Sequence, residues 1–206
     1  MIKAVLFDYG GVLTPGGFDD SMIKLFAETY GVDESEIKID TLFREVMKGN
    51  LTTDEFFSRM NAKFPGKQKA TASDMLVGSP QIFEKADRVY ELAERLRTAD
   101  IRTGIFSNVS DFVAKKRIEL GDYDAFDPVL LSYRDRMVKP DLEYYKYALK
   151  NLNLPADEVL FIDDKERNLI PARELGIHTI KFENADQIIR DTKAFIENEN
   201  HIVLDR

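Results

Sequence analysis

The sequence predicts a doubly wound, Rossmann-like α/β fold, in which helices cover both faces of a parallel sheet. Short segments with consecutive apolar residues alternate along the chain with longer amphipathic segments. Continuous hydrophobicity indicates strands that are buried on both faces, as in parallel sheets. The alternation indicates that helices connect these strands. A third observation, a long stretch without any strand pattern, predicts a helical insertion near the N-terminus.

The individual elements follow from these patterns. The predicted strands cover residues 3–7, 102–107, 128–133, 158–163 and 178–182. Amphipathic helices are predicted for residues 83–99, 111–120, 142–151 and 166–175. The polar residues after Glu197 are expected to form a mobile tail.

The helical insertion is predicted to span residues 15–80. Its helical patterns cover residues 19–30, 34–48, 53–61 and 71–77, and Thr52 or Thr53 is a plausible N-cap. We therefore expect an α/β core of residues 1–14 and 81–206 that carries a cap subdomain of four helices. The hinges are expected at Pro15-Gly16-Gly17 and around Gly78-Ser79-Pro80.

Composition excludes several classes of function. The 206 residues are 44% hydrophobic, which is enough for a packed core, and the net charge is −8 without a basic cluster. Nucleic acid is therefore not expected as a partner. The lack of cysteine excludes disulfides and thiolate metal sites. Neither a signal peptide nor a membrane-spanning run is apparent, so we expect a cytoplasmic monomer or weak homodimer without a membrane partner.

Polar residues follow the predicted strands at their carboxyl ends. Asp8 follows the first strand, Ser107 and Asn108 end the second, and Asp163 and Asp164 end the fourth. Ligands of open parallel sheets bind beyond the carboxyl ends of the strands, so we expect these side chains to meet in one crevice.

The side chains at this edge form a recognisable chemical set. Three carboxylates, those of Asp8, Asp163 and Asp164, repel each other unless a cation lies between them, and oxygen ligands alone favour Mg²⁺. A carboxylate can attack a phosphoryl group as a nucleophile. Lys139, in the loop after the third strand, and Ser107 can then neutralise and orient the phosphate oxygens.

Four sequence motifs in order resemble those of the haloacid dehalogenase-like hydrolases: "VLFDYGGVLT", "IFSN", "VKPD" and "FIDDKERN". The segment "ARELGIHTI" after the fourth motif also fits. The order resembles the subclass whose helical cap follows the first motif. The cap segment "KGNLTTDEFF" is similar to a branch that includes glucose-1-phosphatases and the N-terminal phosphatase domains of soluble epoxide hydrolases. The resemblance implies an Mg²⁺-dependent phosphatase that acts on a small phosphate ester through an aspartyl-phosphate.

The resemblance also implies a metal site. Asp8 would be both the nucleophile and a ligand of Mg²⁺, and Gly10 would contribute its backbone carbonyl. Asp164, with Asp163 beside it, would hold the metal directly or through water.

The phosphate site is implied in the same way. Ser107 and the backbone of Asn108 would bind the transferring phosphoryl group, next to the glycine backbone at Gly10 and Gly11. Lys139 would bridge the nucleophile and the phosphate. The cap would cover the crevice, exclude water and select the leaving group.

Gly10 departs from the family pattern, because most phosphatases of this family have a second Asp there for proton transfer. Glycine keeps the carbonyl but cannot transfer a proton, a function that is typically worth about 10²–10⁴ in rate. The chain could be a phosphatase that moves the proton by water or a neighbouring carboxylate, which we favour. It could instead be a domain that binds a phosphorylated ligand or protein without turnover. The third alternative is a 2-haloacid dehalogenase, although those enzymes typically have an aromatic residue where Gly10 sits.

Overall fold

The computed structural model of the protein describes residues 1–15, 18–38, 41–78 and 83–204. At its centre is a five-stranded sheet with the order β3-β2-β1-β4-β5, in which every neighbouring pair is parallel. The strands are β1 Ala4–Phe7, β2 Arg102–Ser107, β3 Val129–Leu131, β4 Val159–Asp163 and β5 His178–Lys181. Each strand lies inside its predicted range, so the prediction of a parallel α/β sheet is confirmed.

Helices surround this sheet. Four of the described helices lie within the predicted insertion of residues 15–80: α1 Phe18–Tyr30, α2 Thr41–Met47, α3 Thr53–Lys63 and α4 Ala72–Gly78. The others are α5 Asp87–Thr98, α6 Asp111–Glu119, α7 Ser132–Asp135, α8 Leu142–Leu152, α9 Glu166–Glu174 and α10 Ala185–Asn200. No helix in the described ranges has both the length and the apolar character needed to cross a bilayer.

Both faces of the sheet are buried, as the continuous hydrophobicity predicts. Alternate residues of β1 enter two different apolar clusters: Val5 and Phe7 join one, and Ala4 and Leu6 join the other. The second cluster also contains Tyr145 of α8. This double burial explains why β1 and β4 lack polar positions until they reach their carboxyl ends.

The inserted helices are held by aromatic packing. Phe26 of α1 contacts Phe43 of α2 and Phe56 of α3, with ring centroids 5.9 and 6.1 Å apart. Thr52 is the N-cap of α3: its side chain accepts from the backbone N–H of Glu55, whose side chain accepts from the N–H of Thr52. These contacts confirm that the segment between the first and second strands is helical and that Thr52 starts α3.

The structure corrects one helix of the insertion. Residues 34–48 do not form a single helix: a short 3-10 turn at Glu34–Glu36 precedes α2, which begins at Thr41. The side chain of Asp33 caps the N-terminus of that turn, which ends at Glu36 and does not continue into α2. The hinge residues Gly16, Gly17, Ser79 and Pro80 lie outside the described residues.

Two further corrections concern the core. The third strand ends at Leu131 rather than Tyr133, because Ser132 begins the helical turn α7 and its buried hydroxyl bonds to the carbonyl of Met47 in the insertion. The helix predicted from residue 83 begins at Asp87.

The polar tail expected after Glu197 is instead the end of α10, a helix that was not predicted. This helix buries Ile188, Thr192 and Ile196, which are four residues apart and share one face. Asn200 accepts from the backbone N–H of Ile2 at 2.6 Å, and Leu204 is buried. The C-terminal segment therefore packs against the start of the chain.

Candidate active site

The side chains predicted to converge meet at the carboxyl ends of β1 and β4. Asp8 follows β1, and its backbone N–H donates to the carbonyl of Ile162 at 2.8 Å. The ammonium of Lys139 lies 3.1 Å from Asp8 Oδ1 and 2.6 Å from Asp163 Oδ2. All three side chains are buried, so this ion cluster is shielded from bulk water.

Asp163 holds Lys139 in place. Besides the ammonium, its oxygens accept from Asn168 Nδ2 at 3.0 and 2.9 Å and from the backbone N–H of Lys165 at 2.8 Å. The carbonyl of Asn168 in turn accepts from the hydroxyl of Tyr145 at 2.7 Å. The sequence analysis identified neither Asn168 nor Tyr145 as a residue of the site. The position of Asn168, the last residue of "FIDDKERN", is the signal that points to it.

Asp164 differs from Asp163 because one of its oxygens has no such partner. Its Oδ1 is buried and has no hydrogen-bond partner among the described residues. One carboxylate oxygen each of Asp8, Asp163 and Asp164 lies within 4.8 Å of the other two. A buried carboxylate oxygen without a donor, in a cluster that offers only oxygen ligands, fits a hard divalent cation such as Mg²⁺.

Gly11 permits the close approach of Asp164. Its φ of +84° lies in the left-handed region, and a Cβ at this position would lie 2.8 Å from Asp164 Oδ2. Gly10 lines the cavity above the cluster, whereas Gly11 lies against the carboxylate of Asp164.

Electrostatics of the cluster also indicate a place for a cation. Burial raises the pKa of Asp8 to about 7, and the charges of Asp163 and Asp164 add to this rise although Lys139 opposes it. Burial likewise raises the pKa of Asp164. Burial alone would lower the pKa of Lys139, but the carboxylates of Asp163 and Asp8 outweigh it and raise that pKa. A divalent ion beside these acids favours their ionised forms.

The loop that carries Lys139 is clamped by Asn108. The side chain of Asn108 accepts from the backbone N–H of Lys139 and donates to its carbonyl, both at 2.8 Å. Both ends of the Asn108 side-chain amide are therefore occupied by Lys139. This agrees with the expectation that the backbone of Asn108, and not its side chain, would bind phosphate. Ser107 is buried beside it at the end of β2.

A cavity of about 530 Å³ opens above Asp8 and Lys139. The core contributes Asp8, Gly10, Asn108, Val138, Lys139, Pro140, Lys165, Arg167 and Asn168 to its lining, and α2 contributes Thr41, Phe43, Arg44 and Met47. Asp8 is the one carboxylate among the described lining residues. The sequence analysis missed Arg44, which no local pattern distinguishes from a surface cation. It also missed Lys165 and Arg167, although both lie in the fourth motif.

Helix α2 is fixed over this cavity by polar contacts with the core. Arg44 donates to both oxygens of Asp141 at 2.5 and 2.6 Å, and the ammonium of Lys48 lies 3.3 Å from the same carboxylate. The buried hydroxyl of Ser132 donates to the carbonyl of Met47 at 2.7 Å and accepts from the N–H of Val109 at 2.9 Å.

Tyr9 points away from the cavity. Its hydroxyl is 2.9 Å from that of Tyr90, and the guanidinium of Arg117 lies 4.0 Å from its ring centroid. The cavity wall at this point is therefore the bare backbone of Gly10, without an acid and without an aromatic ring.

Comparison with known proteins identifies relatives of this chain. A family model described as haloacid dehalogenase-like hydrolase matches residues 2–176. The chain is 26% identical to the drimenol cyclase drtB of Aspergillus calidoustus over 92% of its own length, but it spans only 36% of that protein. It is 27% identical to the D-ribitol-5-phosphate phosphatase of Bacteroides thetaiotaomicron, covering 89% of this chain and 93% of that enzyme.

Solved structures also resemble it. One is a HAD family enzyme from Bacteroides thetaiotaomicron in complex with magnesium and inorganic phosphate. It has a TM-score of 0.74 and 25% identity, and the match covers 89% of this chain and 95% of that one.

Proposed function

The chain belongs to the haloacid dehalogenase-like hydrolase family, and we propose that it hydrolyses a small phosphate ester with the help of Mg²⁺. The observation that carries this proposal is the placement of Lys139, whose ammonium lies between Asp8 and Asp163 on the floor of a cavity. The partly unpaired carboxylate of Asp164 beside them supports a metal site. The carboxylates of Asp8 and Asp164 and the backbone carbonyl of Gly10 would hold Mg²⁺. When bound, the ion neutralises charge on the phosphate oxygens.

Asp8 acts as the nucleophile in the first step. One of its carboxylate oxygens attacks phosphorus, an aspartyl-phosphate forms, and the bond from phosphorus to the ester oxygen breaks. Lys139, 3.1 Å from Asp8, favours the ionised carboxylate and attracts the phosphate oxygens. Ser107 and the backbone of Asn108 orient those oxygens. Since the residue at position 10 is glycine, the departing oxygen takes its proton from solvent.

The second step returns the carboxylate. A water molecule attacks phosphorus, the bond between phosphorus and Asp8 breaks, and inorganic phosphate leaves with the water's oxygen. An acyl phosphate is already activated, so this step needs less help from a general base than cleavage of an alkyl ester. Asp163 keeps its structural role throughout, because its oxygens are engaged by Lys139, Asn168 and Lys165.

The inserted helices act as a cap in this proposal. Helix α2 forms the outer wall of the cavity and is bound to the core through Asp141 and Ser132. A cap of residues 15–80 on a core of residues 1–14 and 81–206 would exclude water from the aspartyl-phosphate and select the leaving group.

Phosphate release from a panel of small phosphomonoesters and an aryl phosphate tests the proposal. We expect release that requires Mg²⁺, is abolished by EDTA and is absent in Asp8→Asn. The Asp8→Asn variant keeps the size of the side chain, so its loss of activity reports the nucleophile rather than packing. Wild-type release no greater than that of Asp8→Asn across the panel would contradict the proposal, as would metal-independent halide release from a 2-haloacid.

A further inference from the structure

We propose that the buried pair of Arg117 and Asp122 positions the loop of Asp8, acting through the side chain of Tyr9. This inference rests on the phosphatase function proposed above and adds positioning residues that lie outside the cavity. Arg117 belongs to α6 and Asp122 lies just after that helix. Neither is among the described residues that line the cavity.

Tyr9 determines the shape of the loop that follows Asp8. Its backbone carbonyl accepts from the N–H groups of Leu13 and Thr14 at 2.9 and 3.1 Å, which closes the loop into a tight turn. The N–H of Tyr9 donates to Asp8 Oδ1 at 2.7 Å. A shift of Tyr9 would therefore move both the nucleophile and the carbonyl of Gly10, which is next in the chain.

The side chain of Tyr9 is held by three neighbours. The guanidinium of Arg117 lies 4.0 Å from the centre of the ring, within the range of a cation–π contact. The ring of Tyr123 meets that of Tyr9 edge-on, with centroids 5.2 Å apart. The hydroxyl of Tyr9 lies 2.9 Å from that of Tyr90. Because Tyr9 is only 2% exposed and its surroundings are close-packed, its ring cannot move unless these neighbours move.

The charges of Arg117 and Asp122 are costly to bury. Both residues are almost fully buried, and Arg117 Nη1 lies 3.7 Å from Asp122 Oδ2, which is a long distance for an ion pair. The ammonium of Lys85, whose side chain is exposed, lies 3.0 Å from the other oxygen, Oδ1. A buried ion pair with loose geometry gains little stability over neutral residues of similar size. Stability alone therefore does not account for this pair, whereas a fixed position for the ring of Tyr9 does.

The same cluster holds the segment through which the chain returns from the insertion. Lys85 lies in this segment, and the ring of Phe83 lies 5.4 Å from the guanidinium of Arg117. The N–H of Ala86 donates to the carbonyl of Leu13 at 3.0 Å. The loop of the nucleophile and the segment after the insertion are thus fixed to one buried centre.

A double variant without the two charges tests the inference. Arg117→Met/Asp122→Asn approximately keeps the size of both side chains and leaves neither partner as an unpaired buried charge. We expect kcat on the phosphomonoesters to fall by about tenfold or more, because small displacements of reacting groups have effects of this size, while KM changes less. The Tm should stay near that of the wild type. An unchanged kcat would overturn the inference.

Arg97→Met is the matched control for the loss of a packed arginine. Arg97 also lies over an aromatic ring, that of Phe126, with 5.5 Å between the guanidinium and the ring centroid. Its Nη1 donates to Thr103 Oγ1 at 2.8 Å. These partners lie outside the loop of Asp8, so this variant should keep the wild-type kcat. A fall in kcat as large as that of the double variant would overturn the assignment.

Two tyrosine variants keep the inference testable if the double variant loses stability. Tyr9→Phe removes the contact between the hydroxyls of Tyr9 and Tyr90. Tyr30→Phe removes a similar bond in the insertion, from the Tyr30 hydroxyl to Asn61 Oδ1 at 3.1 Å. Both tyrosines are 2% exposed, so we expect similar losses of Tm. Only Tyr9→Phe should lower kcat, by up to about fivefold, the equivalent of one neutral hydrogen bond. Equal kcat values in the two variants would overturn the role of Tyr9.

Amide hydrogen exchange separates failure of the inference from failure of the proposed function. The N–H groups of Leu13 and Thr14 bond to the carbonyl of Tyr9, so their exchange rates report on the loop without any turnover. Both should exchange about tenfold faster in the double variant than in Arg97→Met, because the loop opens more often.

The two readouts together give distinct outcomes. If the wild type hydrolyses no ester but exchange at Leu13 and Thr14 is faster in the double variant, the phosphatase proposal fails and the positioning inference stands. If the wild type is active, and kcat and exchange are both unchanged in the double variant, the phosphatase proposal stands and the inference fails.

Discussion

In the proposed phosphatase reaction, Gly10 is the residue that determines how a proton reaches the leaving group. It lines the cavity next to Asp8, and no other carboxylate is present among the described lining residues. In the proposed reaction, the leaving oxygen would therefore take its proton from solvent. This dependence matters most for alkyl esters, whose leaving oxygens are strongly basic, and least for aryl esters.

Gly10→Asp should raise kcat for alkyl phosphates, because it supplies a positioned acid. Such a group is worth up to about 10²–10⁴ in rate, and the gain should be much smaller for p-nitrophenyl phosphate, whose leaving group needs little protonation. Steady-state kinetics on both esters provide the measurement. Gly10→Ala is the control for the added side chain without an acid. An equal gain on both esters, or none on either, would show that proton donation is not what the wild type lacks.

Gly11 differs from Gly10, because a side chain at position 11 would collide with the carboxylate of Asp164. Gly11→Ala should weaken Mg²⁺ binding by about tenfold or more, because its Cβ would displace Asp164 and supporting residues of metal sites have effects of this size. Calorimetric titration with Mg²⁺ measures the affinity.

Gly176→Ala is a closely matched control for this variant. Gly176 has φ +85°, nearly the same as Gly11, but a Cβ there would lie no nearer than 3.8 Å to another residue's atom. Both variants should lose roughly 1–2 kcal/mol of unfolding free energy from the left-handed backbone, and only Gly11→Ala should lose metal affinity. Normal affinity in Gly11→Ala would contradict the role given to this glycine.

At the scale of elements, the site depends on how α2 meets the core. The third strand stops at Leu131 and turns into α7, which brings the hydroxyl of Ser132 to the carbonyl of Met47 at the end of α2. The same helix places Arg44 in the cavity wall. The contact between α2 and α7 thus makes the shape of the cavity depend on where β3 ends.

Ser132→Ala should destabilise the protein by about 1–3 kcal/mol, because it leaves the buried N–H of Val109 and carbonyl of Met47 without their partner. Urea unfolding provides the measurement. Ser110→Ala is the matched control: Ser110 is equally buried, but its hydroxyl has no hydrogen-bond partner among the described residues, so its loss should be neutral or stabilising. Equal losses in the two variants would contradict a specific role for Ser132.

At the scale of the whole molecule, one buried acidic cluster joins the ends of separate segments. Asp8 comes from the first strand, and Asp163 and Asp164 come from the fourth, with the helical insertion and two further strands between them in the chain. Burial raises the pKa of Asp8 and that of Asp164, and the charge of Asp163 adds to both rises. A cation that binds them stabilises the folded state as a whole, because the unfolded chain does not bring them together.

Mg²⁺ should therefore raise the free energy of unfolding, by about 2.7 kcal/mol at a hundredfold excess over its dissociation constant. Thermal unfolding in EDTA and in increasing Mg²⁺ measures this, with NaCl of equal ionic strength as the control for screening. Asp164→Asn should lose most of the effect, whereas Asp186→Asn, an exposed acid on α10, should keep it. A stability that Mg²⁺ and NaCl change equally would argue against the metal site.

Much of the fold and part of the candidate site could be predicted from the sequence. The strands could be predicted because they contain consecutive apolar residues. Asp8, Ser107 and Asp163 could be predicted because they lie at the ends of these apolar segments in the chain. Helix α10 was missed because the middle one of its three buried positions is a polar residue, Thr192. The end of β3 was missed because Tyr133 and Leu131 are equally compatible with a strand. In both cases, contacts with distant segments determine the local structure.

By itself, the sequence determined the parallel sheet, the helical insertion and the acids and lysine that the strand ends bring together, since these depend on local periodicity and on covalent neighbours. Only the tertiary structure decided which hydrogen bonds and charge contacts each of these residues makes. It engages Asp163 with Lys139 and Asn168, leaves an oxygen of Asp164 without a donor, and brings Arg44 of the insertion to the cavity. The physical reason is that hydrogen bonding and charge pairing in a buried site depend on distances between segments far apart in the chain, which no local pattern contains.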